Sequence, residues 1–382
     1  MANRIARSKK PALKTIHTWI GIISGLFLSV IGLTGSVILF RADFERAALP
    51  RSAGAEMEHR AGLDDIAREL SNVRPEFHIR RVYLPAQPGQ PYIVQVQSAG
   101  KRSERIALDA SNGKILATIQ PGWVDWMVDL HRNLLSGPTG RSIVGGFGIV
   151  LFTLSATGLL MWLTGARNWR AWISVRRRGS STRFQYELHR ASGLWAYAFL
   201  ALISFTGIEL AYPNAFRNAV QSLTGKSTTV RAPRDVHAAA TLPLSEYIQI
   251  GRRAIPDGEP VELRLPEPGK GPVDLRLYRP GDLSPSGNHV YIQPASGAVL
   301  MVDRVVDRRM GARFLASMSP LHYAQFGGVT FKIVWSIFGL TPLVLFVTGL
   351  LYWWRPAKSK SQQPPAVNRV EQGDDQCAVS LR

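Results

Sequence analysis

Four long stretches without a single charge constrain this chain more than anything else in it. Residues 20–40, 142–164, 191–208 and 333–354 contain no Asp, Glu, Lys or Arg. A bilayer core of about 30 Å needs about 20 apolar residues in a helix rising 1.5 Å per residue. Each stretch is long enough, and lipid offers the backbone no hydrogen-bond partners, so each must be a helix or part of a closed barrel. Unbroken apolarity without alternation selects helices. The expected fold class is an integral membrane protein, mainly α, with four transmembrane helices.

Basic residues set the expected orientation. Arg4, Arg7, Lys9, Lys10 and Lys14 precede the first span. Arg167, Arg170, Arg176, Arg177, Arg178 and Arg183 fill the loop after the second, and Arg355, Lys358 and Lys360 follow the fourth. With four spans all three groups fall on one side, which is expected to be cytoplasmic. The formal net charge of +19 is thereby accounted for by membrane orientation rather than by nucleic acid. Cys377 is the sole cysteine, which excludes an intrachain disulfide, a thiolate metal cluster and a Cys-x-x-Cys-His haem attachment. The first apolar run is longer than a signal-peptide core and has a copy later in the chain, so it reads as a mature helix.

In order, residues 1–12 read as a mobile basic cytoplasmic arm and 13–41 as the first span. Residues 42–120 form a small α+β domain. Residues 121–140 form an amphipathic surface helix and turn, with Trp123, Trp126, Met127, Leu130 and Leu134 on one side. The second span covers 141–164, a basic cytoplasmic loop 165–187 and the third span 188–210. A second outer α+β domain covers 211–320, a surface turn and the fourth span 321–356, and a disordered cytoplasmic tail 357–382. Helices are expected at 63–70 and 245–254. Strands are expected at 78–84, 92–97, 105–108, from 115, and at 261–265, 273–278 and 289–293.

The two halves repeat each other. Thr34-Gly35 follow His17 by 17 and 18 residues, and Thr206-Gly207 follow His189 by the same numbers. Thr157-Gly158 start 26 residues after His131, and Thr348-Gly349 start 26 after His322; Trp162 and Trp353 close these motifs. The spacing implies a tandem duplication with a pseudo-twofold axis along the membrane normal.

Four of the eight histidines stand at the mouths of spans or just before them. The repeat places His17 opposite His189 at the cytoplasmic side and His131 opposite His322 at the outer side. Below His17 runs a stripe of Gly21, Gly25, Gly32 and Gly35, which allows close helix packing and leaves room for a flat cofactor. Taken singly, such a histidine is an interfacial residue capped by water or headgroups. Four in two symmetric pairs point to metal ligation. No acidic or cysteine cluster suits zinc. Two imidazoles suit a six-coordinate haem iron whose macrocycle supplies four further nitrogens. The expected cofactors are two non-covalent haem b groups. Lys14, Arg132 and Arg190 are candidate partners of their propionates, or snorkelling cations. One haem near each face makes an electron path, with its exit near His131 and His322. No dinucleotide or flavin motif is present, so the chain has no NAD or flavin site of its own. The donor is then a cytoplasmic reductant or a membrane quinol. His59, His78, His237 and His289 read as ordinary surface or strand residues.

These motifs resemble the PepSY-associated transmembrane proteins over about residues 10–356. The resemblance rests on Leu-Lys-Thr-Ile-His17-Thr-Trp-Ile-Gly21, Leu-His189-Arg-Ala-Ser-Gly193, Asp-Leu-His131-Arg, Pro-Leu-His322-Tyr, the Thr-Gly-Leu-Leu-x-Trp exits and the Asp109-Ala-Ser-Asn-Gly113-Lys turn. In the second outer domain Gln293 stands where Asp109 stands in the first. The resemblance implies two periplasmic PepSY-like domains on a bacterial inner-membrane protein. It also implies a ferric-siderophore reductase of the ferrioxamine, FoxB-like type, acting on a hydroxamate siderophore. A non-enzymatic PepSY sensor or binding protein and a siderophore permease are the alternatives. The permease is disfavoured by the absence of any sign of a broken span.

Overall fold

The computed structural model describes residues 2–51, 62–98, 103–165, 173–176, 180–225, 233, 236, 241–267 and 270–354. Four segments among them are long and apolar enough to cross a membrane: Ala12–Ile38, Gly137–Thr164, Ser181–Ala211 and Gly328–Trp354. They belong to helices α1 (Ala2–Ile38), α5 (Gly137–Gly165), α6 (Ser181–Ala211) and the consecutive pair α10 (Gly328–Gly339) and α11 (Thr341–Trp354). Helix α1 packs along α11, and α5 along α6. The α5–α6 approach is close because it is built on glycine. A Cβ on Gly145 would meet the Tyr212 ring at 2.5 Å, and one on Gly148 would meet Ile208 at 3.0 Å.

The spans depart from expectation in three places. The basic arm is not a separate segment, because α1 runs back through it to Ala2. Helix α6 begins at Ser181, seven residues before the expected start at 188. Ser180 caps it by accepting from the Arg183 amide at 3.3 Å. Glu187, buried on this extra turn, accepts from the Arg176 amide at 2.8 Å and from Arg183 Nε at 2.9 Å, which keeps the polar start helical. The fourth span is broken at Leu340, against the expectation of unbroken spans. Pro342 supplies no amide proton to the turn before it, and the Leu340 amide tightens onto the Ile337 carbonyl at 3.2 Å. The break is where α10 presses on α1. Ser36 Oγ donates to the Ser336 carbonyl at 2.9 Å and Ser336 Oγ to the Ser36 carbonyl at 3.1 Å. The tail expected over 357–382 lies outside the described residues.

Between spans, the chain forms α2 (Arg41–Ala48), α3 (Leu63–Val73), strands β1 (His78–Tyr83), β2 (Tyr92–Gln97), β3 (Glu104–Leu108) and β4 (Ile115–Ile119), and α4 (Trp123–Asn133). After α6 come α7 (Pro213–Thr224), α8 (Leu244–Ala254), β5 (Glu259–Arg264), β6 (Val273–Tyr278), β7 (Asn288–Ile292), β8 (Val299–Asp303) and α9 (Met310–His322). Helices α2 and α7 and strand β8 extend what the sequence predicts. So does α9, over residues expected to close the second outer domain at 320; Pro320 sits within its last turn rather than stopping it.

All eight strands belong to one antiparallel sheet, in the order β4-β3-β2-β1-β5-β6-β7-β8. Two separate outer domains are expected; instead β1 and β5 pair at a central seam, Arg81 opposite Arg264, Val82 opposite Leu263 and Tyr83 opposite Glu262. Alternation puts Val82, Val94, Val96, Ile106, Leu263, Leu275, Leu277, Val290 and Ile292 on one face, fully buried under α3 and α8. The hairpin turns match in both halves. The Gly113 amide donates to the Asp109 carbonyl at 2.9 Å and the Gly297 amide to the Gln293 carbonyl at 3.0 Å, with φ of +74° and +73° at the glycines. A side chain at these two positions would be strained. Gln293 therefore keeps the backbone turn that Asp109 makes.

The opposite face of the sheet is polar and turned toward the helical bundle. From it Arg105 reaches Glu45 of α2 at 3.2 Å and Asp125 of α4 at 3.6 Å. Arg41 bonds Asp125 at 2.9 Å, and Lys332 of α10 bonds Asp43 at 3.0 Å.

Candidate functional site

The four histidines meet in two pairs. His17 of α1 and His189 of α6 face each other at the end of the bundle away from the sheet, with ring centroids 6.4 Å apart. His131 of α4 and His322 of α9 face each other at the sheet side, with centroids 6.3 Å apart. Each pair thus takes one residue from each half of the chain. Helix α4 turns Val124 and Val128 inward with His131, and leaves Trp123 and Trp126 more than half exposed. The tryptophan side is therefore the outward side of that helix.

Each ring rests on a Thr-Gly dipeptide of a neighbouring span. His17 Nδ1 lies 2.9 Å from Thr157 Oγ1. His131 Nδ1 lies 2.9 Å from the Ile31 carbonyl and 3.3 Å from Thr34 Oγ1. His189 Nδ1 lies 2.9 Å from the Leu345 carbonyl and 3.2 Å from Thr348 Oγ1. His322 Nδ1 lies 2.9 Å from Thr206 Oγ1. A threonine hydroxyl has one proton, and all four donate it backward along their own helix: Thr34 to Val30, Thr157 to Thr153, Thr206 to Leu202 and Thr348 to Val344. Toward the imidazole each hydroxyl can only accept. Nδ1 therefore carries the ring proton in all four histidines, and Nε2 keeps its lone pair. At the sheet side, burial also holds His131 and His322 below the usual imidazole range, so both are neutral. This is the ligating form, with the backing acceptor that metal-bound histidines use.

The glycines of the dipeptides make room for the rings. A Cβ on Gly35 would lie 2.9 Å from His131 Cε1, on Gly349 3.2 Å from His189 Cε1, on Gly207 3.3 Å from His322 Cε1, and on Gly158 3.7 Å from His17 Cε1. Sequence reasoning found these dipeptides only as markers of repetition. Their recurrence at fixed distances from the histidines was the available signal; their role needed to know which helix each histidine leans on.

Around His17 and His189 lies a cavity of about 1080 Å³, just above the roughly 300–1,000 Å³ range of ligand and cofactor sites. Its walls include Gly21, Gly25, Gly193 and Phe346. Lys14 and Arg190 line it, while Arg132 is an exposed neighbour of His131 on α4. Trp162 also lines the cavity, and its buried Nε1 has no hydrogen-bond partner. His78 begins β1, and His289 of β7 bonds Asp274 at 2.8 Å. His59 and His237 lie outside the described residues.

The residues fit a planar iron macrocycle. Two imidazoles bound through Nε2 to one metal, with bonds of about 2 Å, stand about 6.4 Å apart between centroids. Among the described residues no three His, Cys, Asp or Glu side chains group to hold a bare metal ion, so a metal held by either pair would need its other ligands from a cofactor. The Trp162 N–H and the cations at the cavity wall suit its carboxylates.

Comparison with known proteins places nearly the whole chain in one family. Residues 14–355 match the model of the PepSY-associated TM region. The chain belongs to the PepSY-associated TM family. It is also similar to the uncharacterized protein PA4219 of Pseudomonas aeruginosa, at 25% identity over 274 residues, covering 65% of this chain and 68% of that one. Both the match and the four spans describe a multi-pass membrane protein.

Proposed function

We propose that this PepSY-associated protein is a di-haem b transmembrane reductase of the bacterial inner membrane, delivering electrons to a ferric siderophore on the sheet side. The single observation that carries the reading is that all four paired histidines rest Nδ1 on a threonine hydroxyl of a neighbouring span. Their rings stand 6.4 and 6.3 Å apart between centroids, the width that two imidazoles on one iron would span. Bound there, the group supplies reversible one-electron chemistry at its iron. His17 and His189 hold it at one end of the bundle, and His131 and His322 at the other. Thr34, Thr157, Thr206 and Thr348 fix ring orientation, and Lys14, Arg190 and the Trp162 N–H offer partners for carboxylates. The two histidine levels stand roughly 21–27 Å apart along α1, taking 14 to 18 residues at 1.5 Å each.

The basic residues on the far end of the bundle support a cytoplasmic placement of both termini, with the sheet outside. Electrons then enter from a cytoplasmic reductant or a membrane quinol, and one electron converts Fe³⁺ of the siderophore, of the hydroxamate type by family resemblance, to weakly held Fe²⁺. The two halves read as copies of one span–strands–surface-helix–span unit. The test is a reduced-minus-oxidised absorbance spectrum of protein expressed with ample haem; two haems per chain are expected, and none would sink the proposal. A permease reading gains the break at Leu340. Reconstituted vesicles separate the two: iron reduced outside without siderophore uptake is expected, and uptake without reduction would favour the permease.

A further inference from the structure

A second site lies on the bundle-facing side of the sheet, at the seam where the halves join. There a pocket of about 240 Å³ is lined by Arg80, Arg81, Arg264, Gln95, Gln97 and Ser103, together with Leu265. At about 30 Å³ per water it holds roughly eight waters, or one small polar ligand. Arg81, Gln95, Gln97 and Arg264 alternate with the buried Val82, Val94, Val96 and Leu263, which places them on the polar face. Arg80 joins them because the register of β1 slips between Ile79 and Arg81, and such a bulge re-aims a side chain.

The lining is one-sided in charge. Among the described residues it contains three guanidinium groups, two amides and a hydroxyl, but no carboxylate. The nearest acids stand at the margin, and two of them, Glu262 and Asp274, are already engaged. Glu262 is gripped by Arg264 at 2.6 Å and is also 3.7 Å from Arg276 and 3.8 Å from Arg81. Glu267 is 3.8 Å from Arg80, beyond hydrogen-bond reach. Asp274 is shared by His289 and Arg276. Arg80 Nη1 is buried and has no hydrogen-bond partner. A buried guanidinium nitrogen without an acceptor is costly, and the fork of an arginine matches a carboxylate or phosphate oxygen pair.

We propose that the seam pocket binds an oxyanion, the carboxylate of a small ligand, through Arg80 and Arg81. It opens on the side of the sheet that faces the His131–His322 pair, and like that pair it is built from both halves. The ligand class this adds to the reductase reading is a ferric chelate that carries a free carboxylate beside its iron-binding groups. Only the iron of that ligand rests on the reductase reading; the anion site does not.

The experiment is equilibrium dialysis of the full-length protein in neutral detergent against citrate, ferric citrate and inorganic phosphate. Saturable citrate binding is expected, weakened at least tenfold by Arg80→Gln and by Arg81→Gln, and partly kept by Arg81→Lys. Binding that survives both glutamine variants, or no binding at all, overturns the site. Citrate bound by a protein that takes up no haem leaves the site standing and removes the reductase. Haem without citrate does the reverse. The protein is also placed in nanodiscs of phosphatidylcholine with and without phosphatidylglycerol. Loss of citrate binding in phosphatidylglycerol, dependent on Arg81, would assign the pocket to a lipid headgroup and overturn the small-ligand proposal. Phosphate that matches citrate in affinity would show the site reads oxyanion charge rather than carboxylate, overturning the ligand class.

Discussion

The two histidine pairs have nearly equal separations but are built differently. His17 and His189 sit on long spanning helices and open into a large cavity. His131 and His322 sit at the ends of the short helices α4 and α9, pressed against glycines of α1 and α6. Tight packing on a glycine is found at both levels, a Cβ on Gly349 meeting His189 at 3.2 Å and one on Gly35 meeting His131 at 2.9 Å; His17 alone stands off its glycine, at 3.7 Å. The lesson is that His17, open to the cavity and held by the Thr157 contact, and His131, pressed on Gly35, are held by polar and by steric restraint respectively, so the two should fail in different ways.

The bluntest way to break this comparison is to remove a ligand. His131→Ala should halve haem content and abolish ferric reduction, while His17→Ala should halve haem content and stop electron entry. Pyridine haemochrome assay gives the content, and unequal loss for the two variants would mean the pairs do not each hold one group. Next in size is Gly35→Ala, whose methyl would meet the His131 ring at 2.9 Å. It should deplete the sheet-side haem. Gly158→Ala, with 3.7 Å to the His17 ring, should leave haem content within error, and equal effects from the two alanines would remove the steric distinction.

A smaller effect is expected from Thr157→Val, which takes away the hydrogen bond described for the His17 ring. Loss of such a backing contact lowers metal affinity roughly 10–100-fold. Thr34→Val should cost less, because the Ile31 carbonyl still accepts from His131 at 2.9 Å. Haem-transfer rates to an apo-globin acceptor would rank them, and the reverse order would contradict the polar-versus-steric division. The smallest change is Trp162→Phe, which removes an indole N–H with no protein acceptor. It should raise the tail-end haem dissociation rate a few-fold at unchanged protein stability, and a stability loss instead would make Trp162 a packing residue only.

The spans and the histidine register were legible because lipid demands unbroken apolarity and because residue spacing on a helix translates directly into position. Strands β2 and β6 were legible from alternation. What escaped had no local signature. The pairing of β1 with β5 joins residues 81 and 264 through register alone, so nothing local in the sequence brings the arginines of the seam together. The break at Leu340 is hidden inside an apolar run, since Gly339 and Pro342 are both tolerated in spans where a neighbouring helix covers them. Strand β8 leaves Val299, Leu300 and Val302 exposed at the sheet edge, so its inward–outward rhythm is weak. Helix α9 was masked by Pro320, a residue that usually ends helices.

The division of each histidine pair between the halves also sets an order of events during synthesis. Once residues 1–165 have left the ribosome, two spans and half of the sheet can form, and the threonines that back His17 and His131 are both present. Neither has a partner until His189 and, much later, His322 emerge. A chain terminated between the halves therefore offers two solitary imidazoles and an unpaired β1 edge, and only the complete polypeptide can close all three junctions.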